Sequence, residues 1–227
     1  MTDTALPGPG RLADDPDFQD THFVVLDFEG TTPKGTHPEP IEVAALGLKH
    51  TPGRGPVRSG FAFQSLIKPP PHAPIRPFDT AQTGITPADV ADAPTAVPVL
   101  RALDEALPER PVLLVAHHAP AEADIIYAYR EACPRLAHTR IVDTRLLAKH
   151  VVPDLPAYDL DALLAHHGIP QPPNRHRAMD DVTVTAALFR ALLTEAARLH
   201  TISSVAELLR VASRTPRAAQ PTQLELP

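Results

Sequence analysis

Acidic residues close the first strong apolar run of the chain. His22-Phe23-Val24-Val25-Leu26 leads into Asp27-Phe28-Glu29, and residues i and i+2 of a strand point the same way, so the two carboxylates share one face. Two acids side by side in a partly dry site repel strongly, and the usual compensation is a hard divalent cation with oxygen ligands. A second acidic cluster, Glu122 and Asp124, follows the apolar run Val112–Ala116 in the string VAHHAPAEAD. A third is RHRAMDDVTVTAAL, where His176 precedes Asp181 by five residues at the start of a long helical pattern. Each cluster alone reads as well as a solvated strand end or a helix N-terminus stabilised by acids. Three in this order, each at the end of an element and facing one edge of one sheet, point to a carboxylate-built metal site.

The elements that must hold these groups follow from periodicity. Strands are expected at 22–27, 41–48, 59–67, 112–116 and 140–143, and the TPGRGP segment reads as a turn between the second and third. Helical spacing marks 95–107, about 120–132, 144–150, 159–167 and 178–199, with one more amphipathic helix past His200. An antiparallel meander followed by strand–helix alternation describes a single α/β domain with a mixed sheet. The expected division is a disordered leader over 1–20, a catalytic domain over 21–199, and a C-terminal helix with a disordered tail over 200–227. PPPHAPIRPF, after Lys68, reads as a rigid loop.

Composition narrows the class. The chain has 227 residues, 28 of them proline, one cysteine (Cys133) and a net charge of −6. One cysteine excludes an internal disulfide and a CxxC zinc site. The acidic balance argues against wrapping long nucleic acid by bulk charge, but leaves room for gripping a few terminal nucleotides. No apolar run reaches the roughly 18 residues of a membrane span. A soluble, cytoplasmic protein is expected. The doublet His117-His118 lacks a third zinc ligand at a suitable spacing, and His166-His167, at a helix end before Gly168, reads as a cationic or capping pair, so neither is assigned to metal.

Taken together, the clusters resemble the DEDDh (DnaQ-like, proofreading epsilon-subunit type) 3′-5′ exonuclease family. Asp27-Phe28-Glu29-Gly30-Thr31-Thr32 resembles the family's first motif, and His176-Arg177-Ala178-Met179-Asp180-Asp181 its third. Thr83-Gly84-Ile85-Thr86 matches a T-G-I-T turn, and Val142-Asp143-Thr144 with Tyr158–Leu163 a further segment, so the likeness covers about 22–195. The second motif departs from the pattern: Ala116-His117-His118-Ala119-Pro120-Ala121-Glu122 puts Glu where the family has Asp, with Asp124 two positions late. Those two side chains point about 200° apart on a helix, so one of them faces the site. Glu122 is favoured because Ile125, Ile126 and Tyr129 anchor its face.

The resemblance implies an α/β, RNase H-like mixed five-stranded sheet flanked by helices. It further implies hydrolysis of a 3′-terminal phosphodiester with two Mg²⁺ or Mn²⁺ ions. By position, Asp27, Glu29, Glu122 and Asp181 would hold metal. His176 would be the general base, with Glu29 also catalytic. Gly30, Thr31, Thr32, His117 and Arg177 would meet substrate, Arg175 being an alternative to Arg177 for upstream phosphates. The partner expected is a DNA 3′ end, single-stranded or frayed. Short RNA, or a degenerate module that binds ends without cutting, are the alternatives. Gln223-Leu224-Glu225-Leu226-Pro227 resembles the short peptides by which replication proteins dock on a sliding clamp, a further expected partner.

Overall fold

The computed structural model describes residues 12–214 and 216, apart from 34, 36–37 and 173–175. A 3-10 turn (Leu12–Asp14) and α1 (Pro16–Asp20) precede β1 (His22–Gly30), β2 (Pro40–Thr51) and β3 (Gly55–Leu66). Then come α2 (Pro77–Thr83), α3 (Ala96–Ala106), β4 (Val112–Ala116), α4 (Pro120–Ala128) and α5 (Pro134–His138). The chain continues through β5 (Ile141–Asp143), α6 (Thr144–Val151), α7 (Leu160–His166), α8 (Ala178–Leu199), α9 (Val205–Ala212) and β6 (Ser213–Arg214).

The strands form one mixed sheet in the order β3-β2-β1-β4-β5-β6. β1 pairs antiparallel with β2 and parallel with β4, β4 pairs parallel with β5, and β5 pairs antiparallel with β6. The sheet therefore has six strands where five were expected. The extra one is the two-residue β6, too short to leave a periodic signal. The meander is tight where β2 meets β3: a Cβ on Gly47 would lie 2.2 Å from Ser59 Oγ, so only glycine fits this register shift.

Alternation along β1 sorts its side chains between two cores. Phe23 and Val25 pack with Leu46, Leu147 and Phe189 on the α8 side, whereas Val24, Leu26 and Phe28 pack with Val43, Leu100 and Leu103 on the α3 side. Asp27 and Glu29 continue the odd series. They emerge on the face that α8 covers, which is why an acid at the start of α8 can meet them.

Both ends of the domain extend past the expected limits. Residues 12–20 are folded: Leu12 and Phe18 are buried, and the Phe18 ring lies 5.5 Å from Phe23, which in turn stacks 5.2 Å from Phe189. Burying a phenylalanine contributes about 1.5–3 kcal/mol, enough to hold a five-residue helix against the sheet. Asp15 links the two ends by accepting a hydrogen bond from Val205 N at 2.6 Å. Ile202, Val205, Leu208 and Ala212 belong to the same core, so the last helix is part of the domain. Residues 1–11 and 217–227, including Gln223–Pro227, lie outside the described residues. Among the described residues no helix is long and apolar enough to cross a membrane.

Candidate active site

Glu29 ends β1 and is buried, while Asp27 is half-buried. Directly across the ladder from Glu29 stands Glu42 of β2, only 1% exposed. Like charges in directly opposed positions destabilise a sheet, and Arg177 resolves the conflict. Its Nε donates to Glu42 Oε2 at 3.0 Å and its Nη2 to Oε1 at 2.9 Å, a bidentate clamp. Gln64 Nε2 and the Ala178 amide also donate to Glu42, at 3.0 and 3.1 Å. Burial alone would raise the Glu42 carboxyl; the hydrogen bonds from Arg177, Ala178 and Gln64 outweigh it and hold it below the usual carboxylate range.

This clamp pins the N-terminus of α8. His176 precedes it with a left-handed backbone (φ +62°), and Asp181 sits in its first turn, buried. Glu29, His176 and Asp181 converge so that one candidate ligand atom of each lies within 4.8 Å of the other two. One strand and one helix terminus from distant parts of the sequence thus create a small acid–histidine cluster.

Glu122, in the first turn of α4, is 4% exposed. Its Oε2 is buried with no hydrogen-bond partner among the described residues. Burial, with the negative charges of Asp143 and Glu29 adding to it, pushes its carboxyl up to about 8. A carboxylate held dry beside two others is a group that a divalent cation would discharge. The carboxylate oxygens of this cluster make a donor set that a hard divalent cation takes. Asp124, by contrast, is half-buried and two positions around the helix. The charge of Glu29 reaches Glu122 across the site.

The remaining expected residues divide. Thr31 exchanges hydrogen bonds with the Glu39 backbone, and Thr32 gives both its amide (3.0 Å) and its hydroxyl to the buried Asp79. Their side chains shape the Gly30–Thr32 turn from beneath. Arg177, expected at a phosphate, has its guanidinium turned onto Glu42, and Arg175 lies outside the described residues. His117 Nδ1 meets Thr144 Oγ1 at 2.9 Å. Burial drops its basicity to about 4, Asp143 opposing the fall and Arg145 and His118 adding to it, so its ring is neutral near pH 7. Asp143 caps α6 through the Arg145 amide at 2.9 Å and reaches the His118 amide at 3.2 Å. A cavity of about 390 Å³ between Gly55, Ile169 and Arg190 contains none of these residues.

Three supporting residues escape a reading by motif: Glu42, Asp79 and Asp143 in its capping role. Glu42 did leave a signal, as a lone acid inside the apolar string IEVAALGL.

A carboxylate and histidine cluster at the edge of a mixed sheet, built for a hard cation, defines a hydrolytic nuclease class. The exonuclease family model RNase T matches residues 24–189. The chain is 29% identical over 198 residues to a PolC-type DNA polymerase III of Caldanaerobacter subterraneus, covering 82% of this chain and 12% of that one. It is 32% identical over 189 residues to a DNA polymerase III subunit epsilon-like protein of Rhodobacter capsulatus, covering 82% and 25%. It thus spans a quarter or less of the length of these relatives. Exonuclease X in complex with 5′-overhanging duplex DNA superposes with a TM-score of 0.56 at 26% identity, covering 75% of this chain and 90% of that one. The chain belongs to the DEDDh, DnaQ-like family of 3′-5′ exonucleases, with the RNase H-like fold.

Proposed function

We propose that this chain is a 3′-5′ exonuclease that removes nucleotides from single-stranded or frayed 3′ ends of DNA, using two Mg²⁺ or Mn²⁺ ions. The observation that carries the reading is the convergence of Glu29, His176 and Asp181 within 4.8 Å, beside the buried Glu122. Asp27, Glu29, Glu122 and Asp181 would hold the cations. Bound there, the cations would supply Lewis-acid stabilisation of the phosphate's developing charge.

The chain's own groups do the rest. His176 accepts the proton of the attacking water through its imidazole. Glu29 and the backbone of Gly30–Thr32 receive the terminal nucleotide. Asp79 keeps that turn in place, and Glu42 and Arg177 keep His176 and Asp181 in register with Glu29. His117, held neutral, offers hydrogen bonding without adding charge next to the acids.

The test is a 5′-labelled oligonucleotide, as DNA and as RNA, incubated with Mn²⁺ or with EDTA, beside the Asp27→Ala variant. A metal-dependent ladder shortening DNA from its 3′ end, absent in the variant, is expected. A ladder on RNA alone would replace the substrate class. Binding without cleavage of either would replace the enzyme by an end-binding module. Docking of Gln223–Pro227 on a sliding clamp is a separate part of the proposal. Equal clamp recovery with and without the last six residues would remove it.

A further inference from the structure

Phe78 is 65% exposed, the most exposed large hydrophobic residue among those described. It is the second residue of α2, a helix opened by Pro77 and closed by Gly84 in a left-handed cap (φ +72°). Its neighbour Asp79 is 1% exposed and accepts hydrogen bonds from Thr32 N, Thr32 Oγ1 and Arg76 N. The backbone that carries Phe78 is therefore tied to the turn that follows Glu29. Thr32 is three residues past Glu29, so their Cα atoms are at most about 11 Å apart. Adding the Asp79–Thr32 hydrogen bond and the one residue from Asp79 to Phe78 puts the Phe78 Cα within about 20 Å of that of Glu29, the reach of a few nucleotides of single strand.

The surroundings of the ring select its occupant. The other exposed large hydrophobics, Val97 and Leu199, belong to α3 and α8. Phe78 is thus a single aromatic rather than part of an apolar patch of the kind that docks a protein. Beside it, Arg76 lines a cavity of about 380 Å³ along the same helix. An exposed ring with an arginine two residues before it on the same short helix offers the two kinds of group that hold single-stranded nucleic acid: a ring to stack on a base and a cation for the backbone. Every base has a π-face, so such a contact is tolerant of sequence.

We propose that Phe78 is a stacking platform for a nucleobase just upstream of the 3′-terminal nucleotide, with Arg76 beside it for the intervening phosphate. This rests on the exonuclease reading and adds a subsite to it. The ring makes no contact with the reacting atoms, so it acts on how tightly the strand is held.

The experiment compares wild type, Phe78→Ala and Phe78→Trp on two 5′-labelled DNA oligonucleotides with Mn²⁺. One carries all its bases; the other has abasic sites at the second to fourth positions from the 3′ end. On the full oligonucleotide, Phe78→Ala should raise KM by roughly fivefold or more, the worth of one stacked base, and Phe78→Trp should restore it. On the abasic strand the difference between wild type and Phe78→Ala should vanish. A penalty of the same size on both strands, or none on either, overturns the stacking subsite while leaving the nuclease reading standing. Failure of wild type to cut either strand overturns the nuclease reading, and the subsite with it.

Discussion

Replacing Arg177 by methionine tests whether the α8 terminus is held by charge or only by packing. The substitution keeps an apolar stem along the helix but removes two of the four hydrogen bonds to Glu42, leaving those of Gln64 and the Ala178 amide. Removing one partner of a buried ion pair costs about 3–5 kcal/mol. Here the Arg177 side chain is 39% exposed against 1% for Glu42, so solvent screening brings the expected loss to about 2–3 kcal/mol near pH 7. The imbalance in exposure also makes the pair asymmetric. Glu42→Gln leaves an arginine that can turn to water, and should cost less, about 1 kcal/mol.

The pH dependence has a defined sign. In the wild type the Glu42 carboxyl is held below its ordinary value, so its contribution is present above that value and is lost as pH falls through the depressed pKa. In Arg177→Met the burial is less opposed and the carboxyl moves up. The gap to wild type is then widest near pH 7 and narrows as pH falls below the ordinary carboxylate value towards the depressed wild-type one. Urea unfolding of wild type, both single variants and the double variant at several pH values reads all of this. A loss with Glu42→Gln as large as with Arg177→Met, or a gap that does not change with pH, would refute the reasoning. Because His176 and Asp181 hang from the same terminus, turnover on DNA should also fall, by roughly tenfold to a hundredfold in Arg177→Met.

Two further outcomes follow from the site. Glu122→Gln should weaken Mn²⁺ activation of DNA cleavage by at least roughly tenfold, whereas Asp124→Asn should leave it near wild type; a metal titration that ranks them the other way moves the second-cluster acid to Asp124. His117, lowered from 6.5 to about 4 by burial, binds its proton more readily in the unfolded chain, so the native state loses stability as pH falls through 6.5 towards 4. Between pH 7 and pH 5 wild type should lose about 2 kcal/mol more than His117→Gln, and parallel urea midpoints over that range would remove the shift.

What could be read in the sequence is what local spacing encodes. The order of strands and helices, the shared face of Asp27 and Glu29, and the start of α8 at Ala178 all depend on residues within a few positions of one another. So does the turn at Thr83-Gly84. Folding of residues 12–20 was hidden because it depends on one aromatic, Phe18, whose partners are Phe23 and a histidine, His50, on another strand. α2 was hidden because its segment is rich in proline, and proline at a first helical turn looks the same as proline in a loop. The Arg177–Glu42 clamp joins positions 135 residues apart, and no periodicity carries that information. The sequence therefore gives no sign that the Arg177 guanidinium engages Glu42. An arginine beside a catalytic histidine offers the same signal whether it faces substrate or a buried acid.

The glutamate in the second cluster can be understood from its neighbours. At the strand-to-helix junction after β4, His118 has φ +65° and its amide is held by Asp143, which fixes where α4 begins. Ile125 and Ile126 are buried under the same helix, so its rotation about its own axis is fixed too. From that frame position 122 aims at Glu29, and the next acid, two residues on, is turned about 200° away. At position 122 the carboxyl lies where the charges of Glu29 and Asp143 act on it. A longer carboxylate from the same Cα arrives in a dry space, and it is that burial, with the charges of Asp143 and Glu29, that raises its pKa. The extra methylene thus changes how far the acid extends while leaving which face it serves to the helix, and the Glu122→Gln and Asp124→Asn pair separates those two properties.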